Sequence, residues 1–184
     1  GSRITLLGKC EFQNPGASHK DRIAKRILGN AEKQGLLRTK EGGKKTILVA
    51  SSGNTGCSIA WIAAAMGYAV TIITTAKCSD EKRNHIRRTG ATLWMAETLG
   101  EMFPEIIGEE KNYMKQESLL AEAYPDRYFA VNQYDNRENT EAHACGTGPE
   151  IFKQTNGNVS HFVMAASTGG TIMGVGGYLK KQLP

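Results

Sequence analysis

The sequence predicts an α/β protein built on a parallel sheet, and three features predict it. Short β-prone runs alternate along the chain with segments of helical periodicity. Two of the strand-to-helix junctions are small, polar and glycine-rich, Ser51-Ser52-Gly53-Asn54-Thr55-Gly56 and Ser167-Thr168-Gly169-Gly170-Thr171. Loops of this kind bind ligands at the carboxyl ends of parallel strands. The composition, 40% hydrophobic, 22% charged and 7% aromatic over 184 residues, is that of a chain with a packed core.

Residues Ile4 to Phe12 are apolar and β-prone and end at the turn signal Asn14-Pro15-Gly16, so a strand is expected there. A helix follows, capped by Ser18, with Ile23, Ala24, Ile27, Leu28 and Ala31 on one face until Gly35. Thr46 to Ala50 reads as a buried strand, Ser51 to Gly56 as a turn and Ser58 to Met66 as a helix. The alternation continues with a strand at Ala69 to Thr74, a helix at Asp80 to Thr89 and a strand at Ala91 to Ala96, implying right-handed parallel crossovers. Glu101 to Ala123 is expected to be mostly helical despite Pro104. A short strand at Tyr128 to Asn132, a helix within Thr140 to Lys153, a strand at His161 to Ala166 and a helix from Ile172 to Lys181, with Pro184 at its end, complete the chain. Gly1-Ser2 has the look of a cleavage scar rather than part of the fold.

Twenty-three Lys and Arg against eighteen Asp and Glu give a formal charge of +5, clustered in Lys20 to Arg26, Lys40 to Lys45 and Lys82 to Arg88. Without zinc-ligand spacing or RNA-binding aromatics, this charge points to solvated helix faces and small anionic ligands rather than nucleic acid. The four cysteines, Cys10, Cys57, Cys78 and Cys145, form no metal or disulfide pattern, so a reducing compartment and no metal site are expected. The longest apolar run, Ile59 to Met66, is too short to cross a bilayer, and no signal peptide is visible, so the expectation is a cytoplasmic protein. Asn158-Val159-Ser160 is a glycosylation sequon that carries no weight without such a signal.

Chemistry concentrates at Lys20. It sits in Asn14-Pro15-Gly16-Ala17-Ser18-His19-Lys20-Asp21-Arg22, in the first turn of the expected helix. The positive end of a helix disfavours a protonated amine, the right direction for a lysine that must bond a carbonyl carbon. The hydroxyls and amide of Ser51 to Gly56 can bond a carboxylate or a phenolic oxygen, or merely cap the helix. The Ser167 to Thr171 loop suits a phosphate, although small-residue turns at such junctions are common; neither loop fits a Walker or G-x-G-x-x-G pattern.

Together these segments, with Gln133, Ala142-His143 and Thr147-Gly148-Pro149-Glu150-Ile151, resemble the pyridoxal-phosphate-dependent cysteine synthase and cystathionine β-synthase family, over essentially the whole chain from Ile4. The resemblance implies the fold type II architecture, tryptophan synthase β-like. Parallel twisted sheets carry helices on both faces, in two domains seen here only in part. Residues 3–45 with 133–184 would belong to the larger cofactor domain and 46–132 would form the smaller mobile one. Lys20 would hold pyridoxal 5′-phosphate, Asn54 its ring hydroxyl, and Ser167, Thr168, Gly169, Gly170 and Thr171 its phosphate. Ser51, Ser52, Thr55 and Gln133 would receive the amino-acid carboxylate.

The implied reaction is β-replacement on serine or O-acetylserine, giving cysteine or cystathionine, by a homodimer that binds neither nucleic acid nor membrane. An alternative of a different class is a catalytically weakened paralogue or fragment that binds a ligand or protein as a regulator. Threonine dehydratase or serine racemase chemistry is a further enzyme alternative. The chain departs from the family pattern at Ala17 (a glycine), His19 (a small apolar residue), Ala50 (a proline), Ser51 (a threonine), Ser167 (the first glycine of the phosphate loop), and Cys145-Gly146. A serine at 167 would cost roughly 1–2 kcal/mol if its backbone were left-handed. Family cores run to roughly 300 residues, beyond the usual size of one domain, so part of the catalytic core is expected to lie outside this chain.

Overall fold

The structure, a computed structural model, describes residues 4–183. The expectations on Gly1-Ser2 and Pro184 fall outside them. Four parallel strands, β1 (Thr46–Ala50), β2 (Val70–Thr74), β3 (Thr92–Met95) and β4 (Tyr128–Ala130), form one sheet in the order β3-β2-β1-β4. Ile47 pairs with Val70 on one side and with Phe129 on the other. The helices are α1 (Lys20–Lys33), α2 (Asn54–Ala65), α3 (Asp80–Arg88), α4 (Leu99–Met102), α5 (Tyr113–Ala123), α6 (Arg137–Ala142), α7 (Gly148–Gln154) and α8 (Gly170–Gln182).

The two-residue period of β1 builds both halves of the core. Ile47 and Val49 point to one face, where they meet Ile59 and Ala63 of α2 and, behind these, Ile23, Ile27 and Leu28 of α1. Leu48 points to the other face and joins Ile73, Leu99, Ile107, Leu120 and Tyr128 beneath α5. Each fully buried Ile or Leu contributes roughly 1.5–3 kcal/mol. Helix α2 is covered by α1 above and the sheet below, so it is apolar nearly all round, whereas α1 keeps one polar face.

Four expected elements differ. Among the described residues neither 4–12 nor 161–166 forms a strand, and Glu11–Gln13 is a 3-10 turn instead, because a β-prone run becomes a strand only beside a hydrogen-bonding neighbour; Ile4, Leu6, Leu7 and Val163 are left exposed. Pro104 and left-handed Gly108 split the expected long helix into α4 and α5. The helix expected within 140–153 is α6 and α7, joined by a π turn at His143–Thr147. Ser18 does not occupy the assigned cap position of α1, which is His19, but its Oγ still accepts the N–H of Lys20 at 3.2 Å.

Ligand geometry follows from the strand order. Chain connections leave β1 for β2 on one side while β4 lies on the other, so the carboxyl ends of β1 and β4 open a crevice between diverging crossovers. The Ser51 loop leaves the end of β1 and Gln133 follows the end of β4. The turn into α1 is tightened by Ala17, a non-glycine residue at φ 55° whose N–H donates to Asn14 O at 2.7 Å. Ala17→Gly is expected to stabilise the fold by about 0.5–1 kcal/mol, since glycine meets no Cβ penalty there; the shift of the urea unfolding midpoint measures it.

Candidate active site

Lys20 opens α1, and the two residues after it fix the helix end that carries it. The Asp21 carboxylate is buried and accepts three bonds: the Gly16 N–H at 2.6 Å, the Ser58 hydroxyl at 2.6 Å and the Trp61 indole N–H at 3.2 Å. It thus fastens the preceding turn and α2 to the start of α1. The Arg22 guanidinium faces the other way and forms paired bonds of 2.7–2.8 Å with Glu11 and with Glu150 of α7. Bonds from Glu150 and Glu11 hold Arg22 firmly protonated, and Arg22 and Lys9 hold the Glu150 carboxyl down to about 2.

Between these clamps the Lys20 side chain is half-buried and makes no hydrogen bond or ion pair among the described residues. Burial lowers its pKa, because a desolvated ammonium is disfavoured. His19 is also half-buried and has its pKa lowered, first by burial and then by the charge of Lys20. Its ring lies 6.0 Å from that of His143 in the π turn.

His143 ties this corner to the start of α8. It is fully buried, with Nδ1 2.9 Å from the Thr147 hydroxyl and Nε2 3.1 Å from the Thr171 hydroxyl. Burial, then the charges of His19, Lys20 and Arg22, lower its pKa to about 4, so the ring is neutral at pH 7. Gly169, at φ 80°, turns the chain into α8, leaving the first N–H groups of this 13-residue helix without intrahelical partners. A Cβ at Gly170 would collide with the Asn139 amide, so only glycine allows this approach. Ser167 is exposed and is not among the residues with left-handed backbone, so the strain considered for it does not arise; the loop's left-handed residue is Gly169.

Asn139 joins the two loops. Its Nδ2 donates to Gln133 O at 2.8 Å and to the Thr168 hydroxyl at 2.9 Å, while its Oδ1 is buried without a partner. Gln133 accepts a 2.7 Å bond from the Thr55 hydroxyl and donates to Ala50 O at 3.3 Å. The buried Ser51 hydroxyl accepts the N–H groups of Gly53 and Gly56 at 3.2 and 3.0 Å, so it shapes its own loop. Ser52 is half-exposed and Asn54 exposed, and neither side chain is bonded to described residues. The sequence reading gave no role to Asp21, Arg22, Asn139 or His143. Asn139 and His143 were signalled by polar side chains at i and i+4 flanking Ala142 on one buried face.

A half-buried amine without a partner and a helix start rich in free N–H groups and hydroxyls fit a carbonyl-bearing phosphate ester, with Asn54 and Ser52 free toward the same crevice. Pyridoxal 5′-phosphate is such a group, and the residues present fit it. Among the described residues no helix is long and apolar enough to cross a membrane.

Comparisons with known proteins agree with this chemistry. Residues 1–184 match the family described as "Pyridoxal-phosphate dependent enzyme". The chain is 38% identical over 181 residues to the cysteine synthase of Aquifex aeolicus, covering 98% of this chain and 52% of that protein. Among solved structures it is similar to the O-acetylserine-dependent cystathionine β-synthase of Helicobacter pylori, with TM-score 0.81 and 30% identity over 96% of this chain and 54% of that one. It is likewise similar to a hydrogen sulfide-producing enzyme of Fusobacterium nucleatum, with TM-score 0.79 and 33% identity over 96% and 53% of the two chains. The chain spans about half the length of the curated relatives it matches.

The His143 environment predicts a pH dependence. Its folded pKa of about 4 lies below the ordinary 6.5, so the unfolded state binds the proton more tightly. The stability that follows is fully present above pH 6.5 and is lost as pH falls toward 4, by up to about 3 kcal/mol. His143→Asn should remove most of the stability slope between pH 6.5 and 4; urea unfolding across that range checks it.

Proposed function

We propose that this chain, which belongs to the pyridoxal-phosphate dependent enzyme family, carries the cofactor-holding and carboxylate-binding part of an enzyme of β-replacement on serine or O-acetylserine. The product is cysteine or cystathionine. The observation that carries the reading is the unpaired, half-buried Lys20 amine at the start of α1, whose neighbour His19 packs near His143, the residue bonded to Thr171 at the start of α8. The kinds of enzyme named among its relatives, a cysteine synthase and an O-acetylserine-dependent cystathionine β-synthase, support the substrate class.

In this proposal Lys20 holds pyridoxal 5′-phosphate through its amine, Asn54 meets the ring hydroxyl, and Ser167, Thr168, Gly169, Gly170 and Thr171 hold the phosphate. Bound there, the cofactor supplies an electron sink for cleavage of the substrate's α C–H bond. The chain's own residues do the rest. Lys20, once released by the substrate amine, is a base poised by burial to take the α proton at Nζ. Asp21 and Arg22 keep that amine in place while it moves the proton. Ser52 and the N–H groups of its loop receive the substrate carboxylate, Thr55 and Gln133 exchange their mutual bond for bonds to it, and Ser51 keeps the loop in shape.

Residues 46–132, which contain the whole sheet, are proposed to be the smaller domain that moves against residues 3–45 and 133–184. The enzyme is proposed to be a cytoplasmic homodimer. The exposed apolar residues Ile4, Leu6, Val163 and Met173 support association, and Arg22 and Arg26, already paired with carboxylates, are not free for nucleic acid.

Adding pyridoxal 5′-phosphate should give a visible absorption band that shifts with O-acetylserine or serine; Lys20→Ala should abolish it. A band independent of Lys20 would contradict the proposal, and a Lys20-dependent band that neither substrate shifts would point to the catalytically weakened alternative instead.

A further inference from the structure

Glu117, on α5, is a carboxylate that neither the sequence reading nor the proposed chemistry uses, yet it is only 3% exposed and has no cationic partner among the described residues. Burying a carboxylate without a counter-charge costs several kcal/mol unless its oxygens are fully hydrogen-bonded. Its two oxygens go to two backbone N–H groups. Oε2 accepts from Ala50 at 3.0 Å and Oε1 from Asn132 at 2.9 Å. Ala50 is the last residue of β1, immediately before the Ser51 loop, and Asn132, at φ 43°, immediately precedes Gln133. We infer that Glu117 is a positioning residue that fixes the spacing between the two segments receiving the substrate carboxylate.

This inference rests on the proposed function. The two segments are bridged twice. On the ligand side the bridge runs from Thr55 to Gln133 and from Gln133 to Ala50 O, through groups that a bound carboxylate competes for. On the other side it is Glu117, whose bonds no ligand displaces. The β1–β4 ladder ends at the bond from Val131 N–H to Leu48 O at 3.0 Å; when substrate takes Thr55 and Gln133, Glu117 is the tie that holds Ala50 to Asn132 beyond it. Ala50 makes this possible, because a proline at that position would offer no N–H. Burial pushes the Glu117 carboxyl up, while the bonds from the Asn132 and Ala50 N–H groups pull against it.

The test compares wild type with Glu117→Gln, a near-isostere that turns one acceptor into a donor facing an N–H. In the chain without ligand, amides 50–56 and 131–133 should exchange with solvent faster in the variant. In the pyridoxal-phosphate-loaded chain, O-acetylserine should bind about tenfold more weakly. Its methyl ester, which lacks the carboxylate, should lose about twofold or less, and the cofactor band before substrate is added should be unchanged. A purely structural role would weaken acid and ester alike, and that result, or an unchanged affinity for both, overturns the inference. If the wild-type chain gives no Lys20-dependent band, the functional reading fails instead. The exchange data then decide alone: unchanged protection at Ala50 and Asn132 overturns the tie, and its loss upholds it.

Discussion

Everything at this site depends on keeping one amine desolvated and unpaired in a neighbourhood full of charge. Asp21 and Arg22 achieve it by looking away from Lys20. Asp21 spends its oxygens on Gly16, Ser58 and Trp61, and Arg22 is consumed by Glu11 and Glu150. Both adjacent charges are thereby satisfied elsewhere, and the carboxylates nearest in sequence cannot form an ion pair that would hold Lys20 protonated. The same bonds anchor the first turn of α1 to α2, to the turn before it and to α7. Position and proton affinity are set by one set of contacts.

Short tethers carry that order across the crevice. His143 reaches from the Lys20 corner to Thr171, and Asn139 spans from Gln133 to Thr168. Both stand on the continuous helical stretch formed by α6 and the π turn, which packs closely against α8, where Gly170 and Gly174 leave no room for a Cβ. Parallel-sheet topology supplies the crevice, and these buried polar side chains fix the loops at its rim. The bonds these side chains make hold the loops together, and removing one partner would leave another buried polar group unpaired, as Asn139 Oδ1 already is.

Much of this was legible in the sequence because it is local. Thr46 to Ala50 is a short β-prone, apolar run between polar segments and became β1 over that same span. The segment around Lys20 and the two small-residue loops fell at helix starts, where the reading had placed them. Segments 4–10 and 161–166 were β-prone by composition, but whether such a run becomes a strand is decided by a neighbour that its own residues do not encode. The split between α4 and α5 turned on whether Pro104 kinks or ends a helix, which tertiary packing settles. Glu117 was hidden for a different reason. Its spacing of three from Leu120 puts it on the buried face, but a charged side chain reads as exposed until the sheet brings the Ala50 and Asn132 N–H groups against it.

The central claim, that Lys20 is an amine held unpaired and partly desolvated by bonds its neighbours make elsewhere, is tested most directly by its proton affinity. Competitive acetylation of the chain across pH, with each lysine quantified by mass spectrometry, reports it site by site. The account predicts that Lys20 titrates below the ordinary lysine value of 10.5. It further predicts that Arg22→Ala, which frees Glu11 and Glu150, moves the Lys20 titration upward. A Lys20 that titrates at the ordinary value in the wild-type chain, and does not respond to loss of Arg22, would contradict it.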